Sequence, residues 1–186
     1  MLTTERLRLR PWTDADIEPF ARNNADPRAM EFFPSLMTRA QTAYTVRRWQ
    51  KHFARYGFCF FVAERLDNGD FIGVIGPSWH SYTSPFAPAI EIGWRLDPDA
   101  WGKGFATEGA IASAAFIFDR GHSEIVALTV PDNAPSRAVM ERLGMTHDPS
   151  DDFSHPVGGE LHVLYRLDRG AFGDKFGGTN LYALDT

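Results

Sequence analysis

The sequence predicts an α/β fold with a mixed sheet flanked by helices. Two strand-like segments, Phe58–Arg65 and Phe71–Trp79, are separated by Asp67-Asn68-Gly69-Asp70, and Asn-Gly between apolar runs is a strong hairpin signal. The strand-like run Ile90–Leu96 is followed by a glycine-containing loop and an apolar, helix-like run. One antiparallel hairpin together with a strand–helix–strand crossover is typical of a mixed sheet.

The N-terminal part predicts one further strand and two helices. Residues 6–12 alternate apolar and charged side chains, as a half-exposed strand does. Thr13 suits the N-cap of a first helix because acidic residues follow it in the first turn. Thr38 caps a second helix, whose apolar residues recur at helical spacing and which should stop at Gly57.

The C-terminal half continues the alternation of strands and helices. We expect a helix over 107–120, a strand over 124–130, a helix over 135–143 and a final strand over 160–166. Neither a repeat nor a linker divides the chain, so we predict one domain over residues 1–168. The Gly- and Asp-rich tail, residues 169–186, is expected to be ordered only by contacts with a partner or with a second copy in a homodimer.

Composition limits the function classes. The chain has 186 residues, of which 44% are hydrophobic and 23% charged, as in ordinary globular proteins. A net charge of -5 argues against nucleic-acid binding through a basic surface and mildly favours a cationic amine as substrate. The N-terminus has no signal-peptide pattern, and the longest apolar run, near 110–118, is too short to cross a bilayer. We therefore expect a cytoplasmic protein without a membrane partner.

Neither a disulfide nor a metal site is expected. The single cysteine, Cys59, lies in a strand-like core run without a flanking histidine or cation, which favours packing over catalysis. No His-x-x-x-His pattern and no Cys/His cluster is present, so we predict no bound metal.

The loop before the apolar helix has the properties of a phosphate-binding loop. Gly102 and Gly104 permit positive φ and close approach of a ligand, and Lys103 adds a positive charge. A helix N-terminus supplies free N–H groups and the positive end of the helix dipole. The Walker pattern is absent, and the dinucleotide fingerprint would need a glycine where Thr107 stands. Taken alone, a turn that only caps the helix is an equal alternative.

The longer motif around this loop resembles the acyl-CoA pyrophosphate loop of the GNAT N-acetyltransferases. The stretch Leu96–Glu108 has Gly104 and Ala106 at two positions of the pattern Gln/Arg-x-x-Gly-x-Gly/Ala. Trp101 replaces the first residue, as is common in the branch with the ribosomal-protein N-terminal acetyltransferases.

A second block supports the same resemblance. The stretch Pro131–Met145 is similar to the family's Asn-x-x-Ser helix that ends in Leu-Gly-Phe/Met. The two blocks come in the family's order and at its usual separation. With the opening at residues 7–12, the resemblance covers about residues 5–168.

The resemblance implies a fold, a co-substrate and an acceptor. The fold would be a mixed, mostly antiparallel sheet flanked by helices, whose two central strands splay apart to hold the pantetheine arm of acetyl-CoA. The acceptor would be a primary amine, and in this branch a protein N-terminal α-amine. A small amine (an amino acid, a polyamine or a drug) and a non-catalytic acyl-CoA-binding module remain alternatives.

The resemblance also implies which residues contact acyl-CoA. The site would consist of backbone groups of the strand before the loop, of the loop itself and of the N-terminus of the helix predicted over 135–143. Its residues would be Trp94, Leu96, Trp101, Gly102, Lys103, Gly104, Phe105, Ala106, Thr107, Asn133, Ser136 and Arg137. Asn133 and Ser136 also suit plain helix capping. Arg137, expected at the 3′-phosphate, is equally ordinary as a surface charge.

Two residues are the candidates for catalysis. Glu91 lies among apolar neighbours on the strand that leads into the loop, where many GNAT enzymes place a general base, although a structural role is an equal alternative. Ser136 would hydrogen-bond the leaving sulfur. Many family members carry a general-acid tyrosine four residues later, where this chain has Met140.

The acceptor is expected against three loops, Met30–Leu36, Trp79–Phe86 and Asp152–His162. Three histidines fall near this predicted site: His80, His155 and His162. Each is expected to be a structural partner rather than a base.

Overall fold

The computed structural model describes residues 1–80, 82–156 and 158–184. Their strands are β1 (Leu2–Thr3), β2 (Leu7–Arg10), β3 (Phe61–Arg65), β4 (Phe71–Trp79), β5 (Ile90–Leu96), β6 (Glu124–Thr129), β7 (Thr146–His147), β8 (Phe153–Ser154), β9 (Leu161–Asp168) and β10 (Ala183–Leu184). The helices are α1 (Ile17–Ala25), α2 (Arg39–Tyr56), α3 (Phe105–Asp119), α4 (Ala134–Leu143) and α5 (Arg169–Phe176).

The strands form one mixed sheet in the order β10-β1-β2-β3-β4-β5-β6-β9-β7, with β8 paired to β9. All neighbouring pairs are antiparallel except β5 and β6. The pairing of β5 with β6 is recorded only at Glu91 and Val126, whereas β4 pairs with β5 along its full length. The two central strands therefore diverge beyond Glu91, which confirms the predicted splay.

Helices cover both faces of the sheet. On one face, Trp12 and Phe20 pack against Trp49 of α2 at ring separations of 5.1 and 5.6 Å. On the other, α3 lies so close to β4 that a Cβ at Gly109 would be 2.7 Å from Cδ1 of Ile75. Because alternate residues of a strand face opposite sides, Glu91, Gly93 and Arg95 face the α2 layer.

Local signals predicted several element ends. The Thr38 side chain accepts a hydrogen bond from the Gln41 N–H, and α2 ends at Gly57 with φ of 74°. Helix α3 begins at Phe105, two residues earlier than expected, because Gly104 adopts φ of 82° and so starts the helix itself. Strand β3 begins at Phe61 rather than Phe58.

The expectation that the tail depends on a partner was wrong for residues 169–184. Asp168 caps α5 through a hydrogen bond from the Ala171 N–H, and Phe172 of this helix is buried. Strand β10 then pairs with β1, and the Tyr182 hydroxyl donates to Asp119. The tail is therefore ordered by its own chain, through contacts distant in sequence. The last two residues lie outside the described part.

Gly73 on β4 is expected to be the glycine most sensitive to substitution. Its φ is 128°, and a Cβ there would lie 2.7 Å from the Cα of Leu96 and closer still to the carbonyl oxygen of Arg95. We expect Gly73→Ala to lower the free energy of unfolding by about 3 kcal/mol, because both obstacles are backbone. Gly69→Ala, at φ of 73° in open space, is the control for backbone strain alone. If urea denaturation showed the same loss of unfolding free energy for Gly73→Ala and Gly69→Ala, the steric explanation would be contradicted.

Candidate active site

A cavity of about 380 Å³ opens where β5 and β6 diverge. The residues that line it are Phe32, Phe33, Pro34, Trp49, Phe60, Val74, Tyr82, Glu91, Ile92, Gly93, Trp94, Arg95, Leu128, Thr129, Val130, Asn133, Ser136, Met140, His155, Glu160 and His162. Four predicted site residues, Glu91, Trp94, Asn133 and Ser136, thus meet around one space although they come from different elements.

Glu91 is held at the start of the splay. Its Oε2 lies 3.2 Å from Nδ1 of His80, whose side chain is fully buried. The Glu91 side chain keeps 21% of its exposure, so it remains accessible from the cavity. His80 is placed by its own backbone, since its N–H donates to the carbonyl of Ala89 just before β5. His80 thus lies within hydrogen-bonding distance of Glu91.

Tyr82 is a cavity residue that the sequence did not single out. Its hydroxyl is buried and has no hydrogen-bond partner among the described residues. Burial, and secondarily the charge of Glu91, raise the pKa of the Tyr82 phenol. Its ring packs 4.0 Å from His80 and 4.5 Å from His155. Only folding brings these rings together, since no local sequence signal marks Tyr82.

Trp94 and Leu96 differ in their positions. Trp94 lines the cavity, whereas Leu96 is buried and lies outside the lining. The Leu96 carbonyl accepts a hydrogen bond from Nε1 of Trp101, at 3.0 Å. The bond ties Trp101 to the end of β5, so the indole braces the loop that follows.

The N-terminus of α4 forms the opposite wall. Asn133 accepts a hydrogen bond from the Ser136 N–H at 3.2 Å and donates to the Thr129 hydroxyl at 2.9 Å. The amide of Asn133 therefore caps the helix and also ties it to β6. Met140 lies in the same wall, one helical turn beyond Ser136.

Arg137 does not line the cavity. Its Nε donates to the Tyr165 hydroxyl at 3.1 Å and its Nη1 to the Pro131 carbonyl at 3.2 Å. These two bonds attach α4 to β9 and to the preceding loop. Sequence reasoning could not anticipate them, because Tyr165 is distant in the chain.

The glycine loop lies outside the cavity, at the N-terminus of α3. Gly102 and Gly104 have φ of 72° and 82°. Within the described residues, the N–H groups of positions 102–107 have no hydrogen-bond acceptor, and the first satisfied N–H is that of Glu108. Lys103 folds back so that its Nζ donates to the Asp99 carbonyl. Unsatisfied N–H groups at a helix N-terminus form an anion-binding site.

An ion pair missed by the sequence analysis holds this loop. Glu108 accepts hydrogen bonds from the Thr4 hydroxyl, the Arg6 N–H and the Arg6 guanidinium at 2.6, 2.8 and 2.6 Å. Arg6 also donates to the Lys103 carbonyl at 2.9 Å and lies over the Phe105 ring at 4.8 Å. Arg6 therefore joins the N-terminal strand to the loop.

We expect Glu108→Gln to lower the free energy of unfolding by about 2 kcal/mol, because the variant loses charge-assisted hydrogen bonds at a largely buried carboxylate. The control is Glu5→Gln, which makes the same charge change at an exposed neighbouring position. Thermal and urea denaturation of both variants check this. If Glu5→Gln were as unstable as Glu108→Gln, the loss of stability would come from the change in net charge and not from the lost hydrogen bonds of Glu108.

The three loops expected near the acceptor each contribute to the cavity lining. Phe32 and Phe33 come from the first, Tyr82 from the second, and His155 and His162 from the third. The two histidines lie 5.0 Å apart, and Nδ1 of His162 is 3.2 Å from the carbonyl oxygen of Glu160. Positions 81 and 157, within two of these loops, are outside the described residues.

The described ranges contain no group of three or more His, Cys, Asp or Glu residues placed to hold a metal ion. None of their helices has the length and apolar character needed to cross a bilayer. Cys59 is a free, buried thiol, which agrees with the predicted packing role.

The sequence model of the acetyltransferase (GNAT) domain matches residues 6–146. The chain belongs to the GNAT acetyltransferase family. The loop, the capped helix α4 and the splayed strands are thus elements of a GNAT enzyme, as the resemblance implied. Family membership makes the chain an N-acetyltransferase.

Two curated relatives have similar sequences. An uncharacterized protein, YkkB of Bacillus subtilis (strain 168), is 32% identical over 146 residues, covering 77% of this GNAT chain and 84% of the relative. The FsC-acetyl coenzyme A-N(2)-transacetylase of Aspergillus fumigatus is 32% identical over 155 residues, covering 78% of this chain and 65% of the relative.

Solved GNAT structures share the fold. The acetyltransferase from Agrobacterium tumefaciens str. C58 has a TM-score of 0.75 at 28% identity, over 90% of this chain and 94% of that one. The ribosomal L7/L12 alpha-N-protein acetyltransferase RimL, in complex with coenzyme A, has a TM-score of 0.73 at 18% identity, over 92% of this chain and 99% of that one. An aminoglycoside acetyltransferase, also in complex with coenzyme A, has a TM-score of 0.70 at 20% identity, over 94% of this chain and 98% of that one. The last two likenesses concern the fold alone.

Proposed function

We propose that this chain transfers the acetyl group of acetyl-CoA to a primary amine bound in the cavity, by direct attack of the amine on the thioester. The observation that carries the proposal is the position of Glu91. It lies where β5 and β6 separate, in one cavity with Ser136 of α4. A carboxylate and a hydroxyl so placed suit the two proton-handling tasks of acetyl transfer.

The unsatisfied N–H groups of residues 102–107 fit a pyrophosphate, and Arg6 holds the loop through the Lys103 carbonyl. From there the gap between β5 and β6 leads to the cavity, so the pantetheine arm would run past the backbone of Trp94 and Leu96 and past Asn133 and Ser136. Arg137 would reach the 3′-phosphate with its Nη2 group, whereas its Nε and Nη1 donate to internal acceptors. When bound, acetyl-CoA supplies the activated acyl group.

Glu91 would accept the amine proton, through a water molecule, as the new C–N bond forms. An α-amine has a pKa of about 8, so a carboxylate base is sufficient for it. A backbone N–H at the divergent end of β5 would stabilise the developing oxyanion.

The C–S bond breaks as the thiolate leaves and takes up a proton. The Ser136 hydroxyl would donate a hydrogen bond to it, whereas Met140 has no proton to give. A thiol with a pKa of about 8.5 leaves without a strong acid, so the missing tyrosine does not prevent turnover.

For the acceptor we propose an α-amine, and in the first place a protein N-terminal α-amine, on the strength of the loop motif and of a fold shared with a ribosomal-protein N-acetyltransferase. A small-molecule amine is the second candidate. The fold shared with an aminoglycoside acetyltransferase and the sequence similarity to the FsC-acetyl coenzyme A-N(2)-transacetylase support it. The apolar wall of Phe32, Phe33 and Trp49 suits either acceptor.

Release of CoA thiol from acetyl-CoA tests the proposal, with a panel of N-terminal peptides, amino acids, polyamines and aminoglycosides. Cys59 adds no background because it is buried and burial raises the pKa of its thiol. We expect turnover with one acceptor class, which also decides between peptide and small molecule. Absence of acetyl-CoA binding in calorimetry would contradict the proposal.

A further inference from the structure

Arg95, on β5, lines the cavity and is half-buried, with its Nε fully enclosed. Its guanidinium lies between two aromatic rings, 5.0 Å from the centre of Phe20 and 4.7 Å from that of Phe33. Burial lowers the pKa of Arg95 to about 10, which leaves it charged at neutral pH. Phe33 belongs to the loop between α1 and α2, so the cation lies under that loop.

The charge of Arg95 has no anionic partner among the described residues. Nη1 donates to Sδ of Met30 at 3.2 Å, and a thioether is a weak acceptor. Nε is buried without any hydrogen bond, and Arg95 forms no ion pair within the described ranges. A guanidinium prefers two parallel hydrogen bonds to a carboxylate, and this one makes none.

Arg10 of the same sheet, in contrast, has carboxylate partners for its guanidinium. Its guanidinium donates to both carboxylate oxygens of Asp16 at 2.8 and 2.9 Å and to Glu64 at 2.8 Å. A buried charge without such partners is unfavourable unless a ligand supplies them. The two flanking rings offset only part of this cost.

We infer that the acceptor carries a carboxylate, which Arg95 binds through its guanidinium while the amine of the same molecule lies toward Glu91. The inference rests on the proposed function and narrows its substrate class. The structure assigns to this enzyme an amino-carboxylate acceptor, rather than a polycation such as a polyamine.

The geometry of β5 supports this orientation. Glu91 and Arg95 face the same side, and four residues of extended strand cover roughly 13 Å. Between them the Phe60 ring packs over Gly93, since a Cβ there would be 2.9 Å from that ring. Glu91 and Arg95 line one cavity together with Phe60 and Trp49. An acceptor with an apolar part between its amine and its carboxylate would lie against these aromatic rings.

Two sources could supply the carboxylate, and matched pairs distinguish them. One series consists of amino acids and ω-amino acids of increasing length, each compared with its carboxamide. The other consists of hexapeptide amides with Asp or Asn at the second or third position. In the wild type we expect kcat/KM for the carboxylate member of one series to exceed that of its amide by about tenfold or more. The series that shows this preference identifies the source.

In the Arg95→Gln variant, kcat/KM should fall for the carboxylate member of the pair and stay unchanged for the amide member. The Arg95→Lys variant should keep part of the preference for the carboxylate. The control is Arg47→Gln, which removes a charge from an exposed position of α2 and should behave as the wild type. Equal losses on both members, or weaker acetyl-CoA binding by Arg95→Gln, would overturn the inference. The second result would mean that the cation serves the co-substrate.

A binding measurement decides the case in which no acceptor in the two series turns over. Calorimetry compares 3-phenylpropanoate with 3-phenylpropanamide in the presence of CoA. We expect the carboxylate to bind the wild type at least about tenfold more tightly, and Arg95→Gln to bind both equally. Normal acetyl-CoA binding without a carboxylate preference would refute this inference and leave the proposed function intact. Failure to bind acetyl-CoA would refute the proposed function itself.

Discussion

Glu91→Gln is expected to lower kcat about 100-fold near neutral pH, the usual contribution of a positioned general base. The affinity for acetyl-CoA should stay unchanged, because in the proposed function Glu91 acts on the amine and not on the co-substrate. The loss should narrow at pH values above the amine pKa, about 8 for an α-amine, where the amine deprotonates without help. Steady-state kinetics over a range of about pH 6.5 to 9.5 check the fall in kcat, the unchanged affinity for acetyl-CoA and the pH dependence.

Glu160→Gln is the matched comparison for this variant. Glu160 lines the same cavity, but within the described residues its carboxylate has no histidine partner comparable with His80. We expect only a small change in kcat for Glu160→Gln. The reverse outcome, with Glu160→Gln severe and Glu91→Gln mild, would move the base to the third loop. An unchanged rate in both variants would mean that neither carboxylate takes the proton.

Gly104→Val is expected to reduce acetyl-CoA affinity at least about 100-fold, because the loop must keep its N–H groups directed at one anion. Gly104 has φ of 82°, a conformation strained for a β-branched residue, and a Cβ there would be 3.3 Å from Nη2 of Arg6. The added side chain would both shift the loop and crowd the arginine beside it. Calorimetric titration with acetyl-CoA measures the effect.

Gly121→Val separates loss of the site from general strain. Gly121 follows α3 at its other end with φ of 97° and has open space around it. The variant should lose stability through a similar backbone strain, yet keep its acetyl-CoA affinity. If Gly104→Val bound acetyl-CoA normally, the pyrophosphate position at this loop would be excluded.

Elements with local signals were predictable from the sequence. The Asn68-Gly69 turn, the Thr38 cap and the Gly57 stop act through backbone conformations that neighbouring residues determine. The loop with Gly102 and Gly104 was recognisable for the same reason. Its motif encodes a local backbone shape, and that shape presents the N–H groups.

Contacts between distant segments were not predictable in this way. Glu108 reads as an ordinary residue of a helix first turn, yet it holds the N-terminal strand through Arg6. Tyr82 and Arg95 gave no sign of their burial, because exposure depends on which helix or loop covers a strand. The tail was misjudged for the same reason, since its composition resembles a disordered end while Phe172 finds a place in the core.

By itself, the sequence determined the order of the longer strands and helices up to residue 168, the family and the glycine loop, because these depend on short-range backbone preferences and on a contiguous motif. Tertiary structure alone decided that Glu91 meets His80, that Ser136 lines the same cavity and that Arg95 is half-buried without a carboxylate partner among the described residues. The physical reason is that burial and charge pairing are properties of a three-dimensional neighbourhood. That neighbourhood exists only once β5 and β6 have separated and α2 has covered the sheet.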